Sequence, residues 1–319
     1  MTERKPVVLL TDPIGGESTQ IRSIVEAGGG RLICGTNDDW KNHLKDADAI
    51  IVNLAHIGDR EIELATRCRV ITRLGIGVDS VDVNCATRRG IWVTNVPHYC
   101  TSEVAEHTLA LMLTLLRRIN IAQADLASGL WNQLAYRGIH NARSTTVGVI
   151  GLGQLGREVA KLAASFGFKV IGSDPATNVN NLPDGVQKVD LNELLTKADI
   201  VTLHLPLVSR TRNLINADRL KQMRRGAFIV NTSRGGLIDE KALLDALDDG
   251  YLAGAGLDVF DEEPLSISSR LHGRPNLVLT PHISFLSEES LLSLQTQAAE
   301  DVLRTLSGKH PANPVNEAN

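Results

Sequence analysis

At 319 residues the chain exceeds one ordinary domain, roughly 100–200 residues, so two domains are expected. With 43% hydrophobic and 22% charged residues it reads as a folded globular protein, and a net charge of −4 without a basic cluster argues against nucleic acid or an anionic membrane as partner. No run approaches the ~20 apolar residues that cross a bilayer, and Cys34, Cys68, Cys85 and Cys100 lack CxxC spacing, so a cytoplasmic protein with reduced thiols, no metal site and a small partner is expected.

Short β-rich runs at 7–10, 31–34, 49–54, 69–74 and 91–96 alternate with polar or helical segments, the pattern of a parallel sheet with crossover helices. Gly75 and Gly77 follow the fourth run. Their loop either exposes backbone N–H groups to a small anion or is a plain strand-end turn. After Pro97 a helical pattern runs over 101–119, with Thr101 or Ser102 as cap, Glu103 and Glu106 near its start and Arg117 and Arg118 at its end. A second alternating series occupies 146–150, 169–172, 199–205, 227–231, 253–259 and 277–280, with helical segments at 158–166 and 240–247. An amphipathic helix over 287–306 and a Pro/Asn-rich tail follow. The fold class is therefore α/β, with two doubly wound parallel sheets joined by two long helices.

The second series opens on Gly151-Leu152-Gly153-Gln154-Leu155-Gly156, between a strand-like run and a helical run beginning at Arg157. The first glycine permits a tight turn, the second lets backbone approach a pyrophosphate, and the third allows close helix–sheet packing. The next strand ends in Asp174, at the spacing of a carboxylate that accepts from a ribose 2′-hydroxyl. No Lys or Arg lies between Pro175 and Asn181 to hold a 2′-phosphate, so NAD is expected over NADP.

Three polar residues follow β-rich runs of the same series: Arg234, Glu263 and His282. Hydride transfer at a carbon bearing oxygen needs a proton acceptor on that oxygen, and histidine suits this near neutral pH. A carboxylate on the ring's other nitrogen would orient it, and a planar guanidinium would hold a substrate carboxylate through two parallel hydrogen bonds. Together they describe oxidation of a 2-hydroxy acid.

The motifs at 151–156, 202–206, 231–236, 257–264 and 280–282 resemble those of the D-isomer-specific 2-hydroxyacid dehydrogenase family, in a likeness that runs from about Arg73 to Leu306. The resemblance implies a central Rossmann NAD domain over 101–284 and a flavodoxin-like substrate domain built from 1–100 and 285–319. It also implies a homodimer associating through the NAD domain and a small 2-hydroxy or 2-keto acid bound between the domains. Residue by residue, it implies that His282 is the acid/base, Glu263 its support, and Arg234 the substrate's carboxylate and carbonyl ligand. The N–H groups of Ile76 and Gly77 would receive the carboxylate. Asp258 would bond the nicotinamide carboxamide and Thr211 would lie near the pyrophosphate. Gln154, Leu155, Thr101, His204, Pro206, Thr232 and Ser233 would complete the cofactor site.

Residues 95–107 are closest to the branch of the C-terminal-binding-protein corepressors and their bacterial relatives, with phosphoglycerate dehydrogenases as the other near branch. An NAD(H)-sensing binding protein with little turnover is therefore the alternative to an enzyme acting on 3-phosphoglycerate or glyoxylate/hydroxypyruvate. His98, Tyr99 and Cys100 are either packing residues or substrate contacts. After His282, where the family has small residues, Phe285 brings an aromatic close to the site.

Overall fold

The computed structural model describes residues 4–16, 18–35, 39–178 and 182–318. The chain divides into two compact units, residues 1–99 with 287–319 and residues 100–286.

In the first unit five parallel strands, β1 (Val7–Leu10), β2 (Arg31–Cys34), β3 (Ala49–Val52), β4 (Val70–Arg73) and β5 (Trp92–Thr94), stand in the order β2-β1-β3-β4-β5. β1 and β3 are unbroken apolar runs, buried throughout, as strands covered on both faces require. Their order is that of flavodoxin-like sheets. The helices are α1 (Thr19–Ala27), α2 (Asp59–Leu64), α3 (Val83–Arg88) and a long helix from the other chain end, Glu288–Leu306. Ser287 caps that last helix by accepting from Ser290 N–H, and the helix packs on α1 and β4. The tail is stitched to β5, with Val93 N–H donating to Asn316 Oδ1 and Val315 N–H to the Val93 carbonyl, both at 2.7 Å. The first unit is thus built from both chain ends.

The second unit carries seven parallel strands, β6 (Thr146–Ile150), β7 (Lys169–Ser173), β8 (Val186–Lys188), β9 (Ile200–Leu203), β10 (Phe228–Asn231), β11 (Gly254–Leu257) and β12 (Leu277–Leu279). Their order, β12-β11-β10-β9-β6-β7-β8, reverses direction between β6 and β9, and ligands of open α/β sheets collect at such a switch point, outside the strands' carboxyl ends. Helices α4 (Thr101–Leu116), α5 (Ile119–Ala127), α6 (Gln154–Phe166), α7 (Leu191–Lys197), α8 (Ala217–Gln222) and α9 (Glu240–Asp248) belong to this unit, and Glu288–Leu306 is α10. The glycines of β11 matter to the packing: a Cβ on Gly256 would sit 3.1 Å from Leu111 Cβ of α4.

Three local expectations need correction. The single helix expected over 101–119 is two, because Arg118 takes a left-handed φ of 53° between α4 and α5. Its N-cap position is Cys100, with no side-chain cap bond, while Thr101 is already helical. α6 starts at Gln154, directly on the glycine turn. No described helix is long and apolar enough to cross a membrane.

Candidate active site

β6 ends at Ile150 and the chain turns at Gly151, whose φ of 91° suits glycine. A Cβ there would lie 2.3 Å from the His204 carbonyl oxygen, and one on Gly156 would lie 1.9 Å from the Gly151 carbonyl oxygen. Both positions exclude side chains because backbone passes too close. Gly153 is the reverse case: nothing lies within 4 Å of its Cβ direction, so open space stands above the helix N-terminus it begins. That N-terminus has no side-chain cap, which leaves its first N–H groups and the positive end of the α6 dipole for an anion. Gln154 and Leu155 form the first turn, and the Gln154 amide donates to Thr101 Oγ1 at 2.8 Å, tying the loop to the start of α4.

Asp174 stands at the end of β7. Its carboxylate accepts from Leu152 N–H at 2.9 Å and Ala176 N–H at 2.8 Å. Burial would raise its pKa, but the N–H and hydroxyl donors of Leu152, Ala176 and Thr177 outweigh burial and hold it below the usual carboxylate range. It is a fixed negative charge beside the loop. Residues 179–181 of the neighbouring segment lie outside the described residues.

The remaining sequence-selected residues of this unit follow β9 and β10. His204 follows β9; its Nε2 pairs with Thr202 Oγ1 at 2.9 Å, and its buried Nδ1 has no partner among the described residues. Burial pushes its pKa down to about 3, so the ring is neutral. Thr211 closes the turn after it, accepting from Val208 N–H at 2.8 Å and donating to the Pro206 carbonyl at 2.7 Å. Thr232 shares a 2.9 Å hydrogen bond with Thr108 of α4, and Ser233 Oγ donates to the Leu203 carbonyl at 2.7 Å, fixing the loop after β10.

Arg234 is the next residue of that loop. Asn231 Nδ2 donates to its carbonyl at 2.8 Å, and its Nη1 donates to the Ser233 carbonyl at 2.8 Å. Gly235 then passes the turn after β11 so closely that a Cβ would lie 1.9 Å from the Phe260 carbonyl carbon. Phe260 N–H in turn donates to Glu263 Oε1 at 2.9 Å. The other oxygen, Oε2, lies 2.6 Å from His282 Nδ1.

Burial would raise the Glu263 pKa, yet the His282 hydrogen bond, the Phe260 N–H and the His282 and Arg234 charges prevail and lower it. Glu263 is thus a carboxylate, which can only accept, so Nδ1 donates. In the neutral ring the lone pair of His282 then falls on Nε2, which has no partner among the described residues. The side chain is one-third exposed, and the Phe285 ring stands edge-on to it with centroids 6.2 Å apart.

His282 itself has φ 54°, uncommon for a residue with a side chain, so its surroundings must impose the geometry. Asp258, at the end of β11 and wholly buried, does this. Its carbonyl accepts from His282 N–H at 2.8 Å. Its carboxylate accepts from Thr280 Oγ1 at 2.6 Å, Ile283 N–H at 2.9 Å and Ser284 N–H at 2.9 Å. Beyond them, His107 of α4 lies 2.9 Å from Thr280 Oγ1 through Nε2. Because the Thr280 proton points to Asp258, His107 is the donor. His107 and Thr280 fall in motifs visible in the sequence that assign them no role, and nothing in the sequence singles out Thr108; their polar side chains meet only through the fold.

In the first unit, Gly75 takes φ 141°, and a Cβ there would run into the Arg73 guanidinium. Asn95 Nδ2 donates to the Ile76 carbonyl at 2.7 Å and holds the loop, while neither Ile76 nor Gly77 N–H is engaged among the described residues. Tyr99 and Cys100 are buried, as packing residues are, and His98 is exposed. Among the described residues no cluster of His, Cys, Asp or Glu could hold a metal ion.

Residues 109–284 match the family model of the D-isomer specific 2-hydroxyacid dehydrogenase NAD binding domain. A D-3-phosphoglycerate dehydrogenase of Methanocaldococcus jannaschii is 40% identical over 98% of this chain and 60% of its own length, so the chain spans about three fifths of that relative. A glyoxylate reductase of Korarchaeum cryptofilum is 36% identical over 86% of this chain and 84% of its own. The crystal structure of D-lactate dehydrogenase from Aquifex aeolicus, complexed with NAD and lactic acid, superposes with a TM-score of 0.89 at 26% identity, covering 98% of this chain and 100% of that one.

Proposed function

The chain belongs to the D-isomer specific 2-hydroxyacid dehydrogenase family, and from that premise we propose that it is an NAD-dependent oxidoreductase acting on the CH–OH group of a small D-2-hydroxy acid. The observation that carries this reading is the 2.6 Å pair of Glu263 and His282, whose Nε2 is left basic.

The residues of the second unit fit the dinucleotide. The open space over Gly153, the uncapped α6 N-terminus and the anionic Asp174 suit a pyrophosphate and a ribose diol respectively. Bound there, NAD supplies the hydride acceptor, or as NADH the donor. Asp174 opposes a 2′-phosphate, which supports NAD over NADP. Thr101, Gln154, Leu155, Gly151, Gly156, His204, Pro206, Thr211, Thr232 and Ser233 shape or line this site. Asp258 serves the His282 loop first, and a contact of its carboxylate with the carboxamide is part of the proposal.

In oxidation, His282 Nε2 accepts the substrate hydroxyl proton, and the imidazolium so formed is stabilised by Glu263 through Nδ1–H. Reduction of the keto acid runs the same transfer backwards. Arg234 holds the substrate carboxylate and polarises its C2 oxygen. In the first unit, the N–H groups of Ile76 and Gly77, not engaged among the described residues, are the proposed receptors of a substrate carboxylate. We assign residues 1–100 and 285–319 to the substrate domain and 101–284 to the NAD domain.

The alternative, an NAD(H)-sensing binding protein, would use the glycine loop and Asp174 but has no need of a carboxylate-oriented basic histidine. NADH consumption with a panel of 2-keto acids separates the two: tight NADH binding without turnover of any of them would favour the sensor.

A homodimer formed through the second unit is the assembly we propose. Its support is α5, which buries none of its residues, and the segment after it, which exposes Leu130, Trp131 and Leu134 at 60%, 78% and 66%. A cytoplasmic location is supported by four free cysteines, three of them buried.

A further inference from the structure

Resting on the dehydrogenase reading, we infer that the substrate carries no anionic group besides its C1 carboxylate, so phosphorylated and dicarboxylic 2-keto acids are excluded. The inference comes from the carboxyl ends of the first unit's strands, where the Gly75–Gly77 loop receives the carboxylate.

β3 and β4 are paired neighbours, with Val52 beside Arg73 in register. The segments that follow them, residues 53–55 and 74–77, therefore leave the sheet side by side, and the substituent beyond C2 of the acid is assigned to residues 53–55. There the backbone could have formed an anion cradle, with three successive N–H groups converging. It is already filled. The Asp12 carboxylate, from the end of β1, accepts from Asn53 N–H at 3.2 Å, Leu54 N–H at 2.6 Å and Ala55 N–H at 3.3 Å. The Thr11 hydroxyl donates to it as well.

Asp12 therefore does two things at this edge. It consumes the donors that a second anionic group would need, and it sets a negative charge against any such group. Residues 11–18, 35–38, 53–58, 74–82 and 95–99, which follow the five strands, contain neither lysine nor arginine. Arg73 lies at the end of β4 with its guanidinium against Gly75, on the loop assigned to the C1 carboxylate. What the 53–55 turn offers outward is the Leu54 side chain, 73% exposed. An uncharged substituent meets the Leu54 side chain there; a phosphate would meet the Asp12 carboxylate and find the backbone donors of the turn already taken.

The test is a comparison of kcat/KM for NADH-dependent reduction of pyruvate, 2-oxobutyrate, 4-methyl-2-oxopentanoate and hydroxypyruvate against 3-phosphohydroxypyruvate and 2-oxoglutarate, at fixed ionic strength. Both dianionic-type substrates are expected to fall roughly 100-fold or more below the best singly charged acid. Leu54→Arg, at an exposed position that does not disturb the core, should narrow the gap about tenfold by supplying the missing cation. Equal or better turnover of either multiply charged acid by the unmodified protein overturns the inference. If NADH binds but no acid in the panel is reduced, the dehydrogenase reading itself fails, and the inference with it.

Discussion

His107 Nε2 stands 2.9 Å from Thr280 Oγ1, the hydroxyl that donates to buried Asp258, and so a residue of α4 reaches the loop carrying His282. His107 lies 3.7 Å from the Asp258 carboxylate and hydrogen-bonds to it only through Thr280, so it acts on the site through those two side chains and is a positioning residue. His107→Leu should lower kcat roughly tenfold with little change in KM, since a loop shifted by a fraction of an ångström misaligns the base. His107→Gln, which keeps a donor, should restore most of the loss. A purely structural role would lower the thermal midpoint of both variants without splitting kcat from KM.

Removing the middle of that chain costs more. Thr280→Val leaves the Asp258 carboxylate short of its shortest donor in a wholly buried site, with an expected destabilisation of about 1–3 kcal/mol in denaturant unfolding. An unchanged midpoint would show that another group takes over.

Glu263 titrates below the usual carboxylate range in the folded protein. A depressed carboxylate contributes stability that is present above its unfolded value and lost as pH falls through the folded one. The pair with His282 should therefore persist through mildly acidic pH and fail only below the ordinary carboxylate range. Glu263→Gln should remove that acid-side loss and lower kcat roughly 10–100-fold near neutrality, read from pH–rate profiles of both proteins.

His204 gives a separate pH signature. Its folded pKa of about 3 lies below the free value of 6.5, so the unfolded chain binds a proton that the folded one refuses. Stability is full above the unfolded value and declines as pH falls from there towards the folded one, by up to about 1.4 kcal/mol per pH unit. Urea titrations at pH 7 and pH 5 should show His204→Gln losing less stability over that interval than the parent protein.

Asp174 sets the cofactor preference. Asp174→Ala should weaken NADH binding roughly 10–100-fold and narrow the preference over NADPH, as fluorescence titration would measure. No change in the ratio would remove Asp174 from the ribose site.

The apolar surface of α5 and residues 130–134 predicts a dimer in solution. Light scattering should give twice the chain mass, and the double change Trp131→Glu with Leu134→Glu should halve it, with activity lost only to the extent that the monomer is less stable.

The parts legible in the sequence are those where one residue type answers one local demand. Gly151 and Gly156 sit where backbone leaves no room for a Cβ, and Asp174 ends the strand at the expected distance. Arg234, Glu263 and His282 all follow strands of one sheet, so their order along the chain already suggested one edge. What escaped reading depends on tertiary contact. The α4–α5 break at Arg118 interrupts no apolar pattern, and β8, Val-Gln-Lys, is a half-exposed edge strand without alternation of its own. His107 and Thr280 lie 173 residues apart, and a histidine inside a helical pattern gives no sign of the hydroxyl it will meet. The cradle at Asn53–Ala55, filled by Asp12, is likewise a matter of parallel register.

Proton transfer at His282 Nε2 is tested most directly by the turnover of His282→Ala on the best keto acid, with NADH affinity measured beside it. The predicted result is a loss of roughly 100- to 10,000-fold in kcat with NADH affinity within a few-fold of the parent protein. Near-parental turnover in a variant that still binds NADH would contradict it and move the acid–base role to another group.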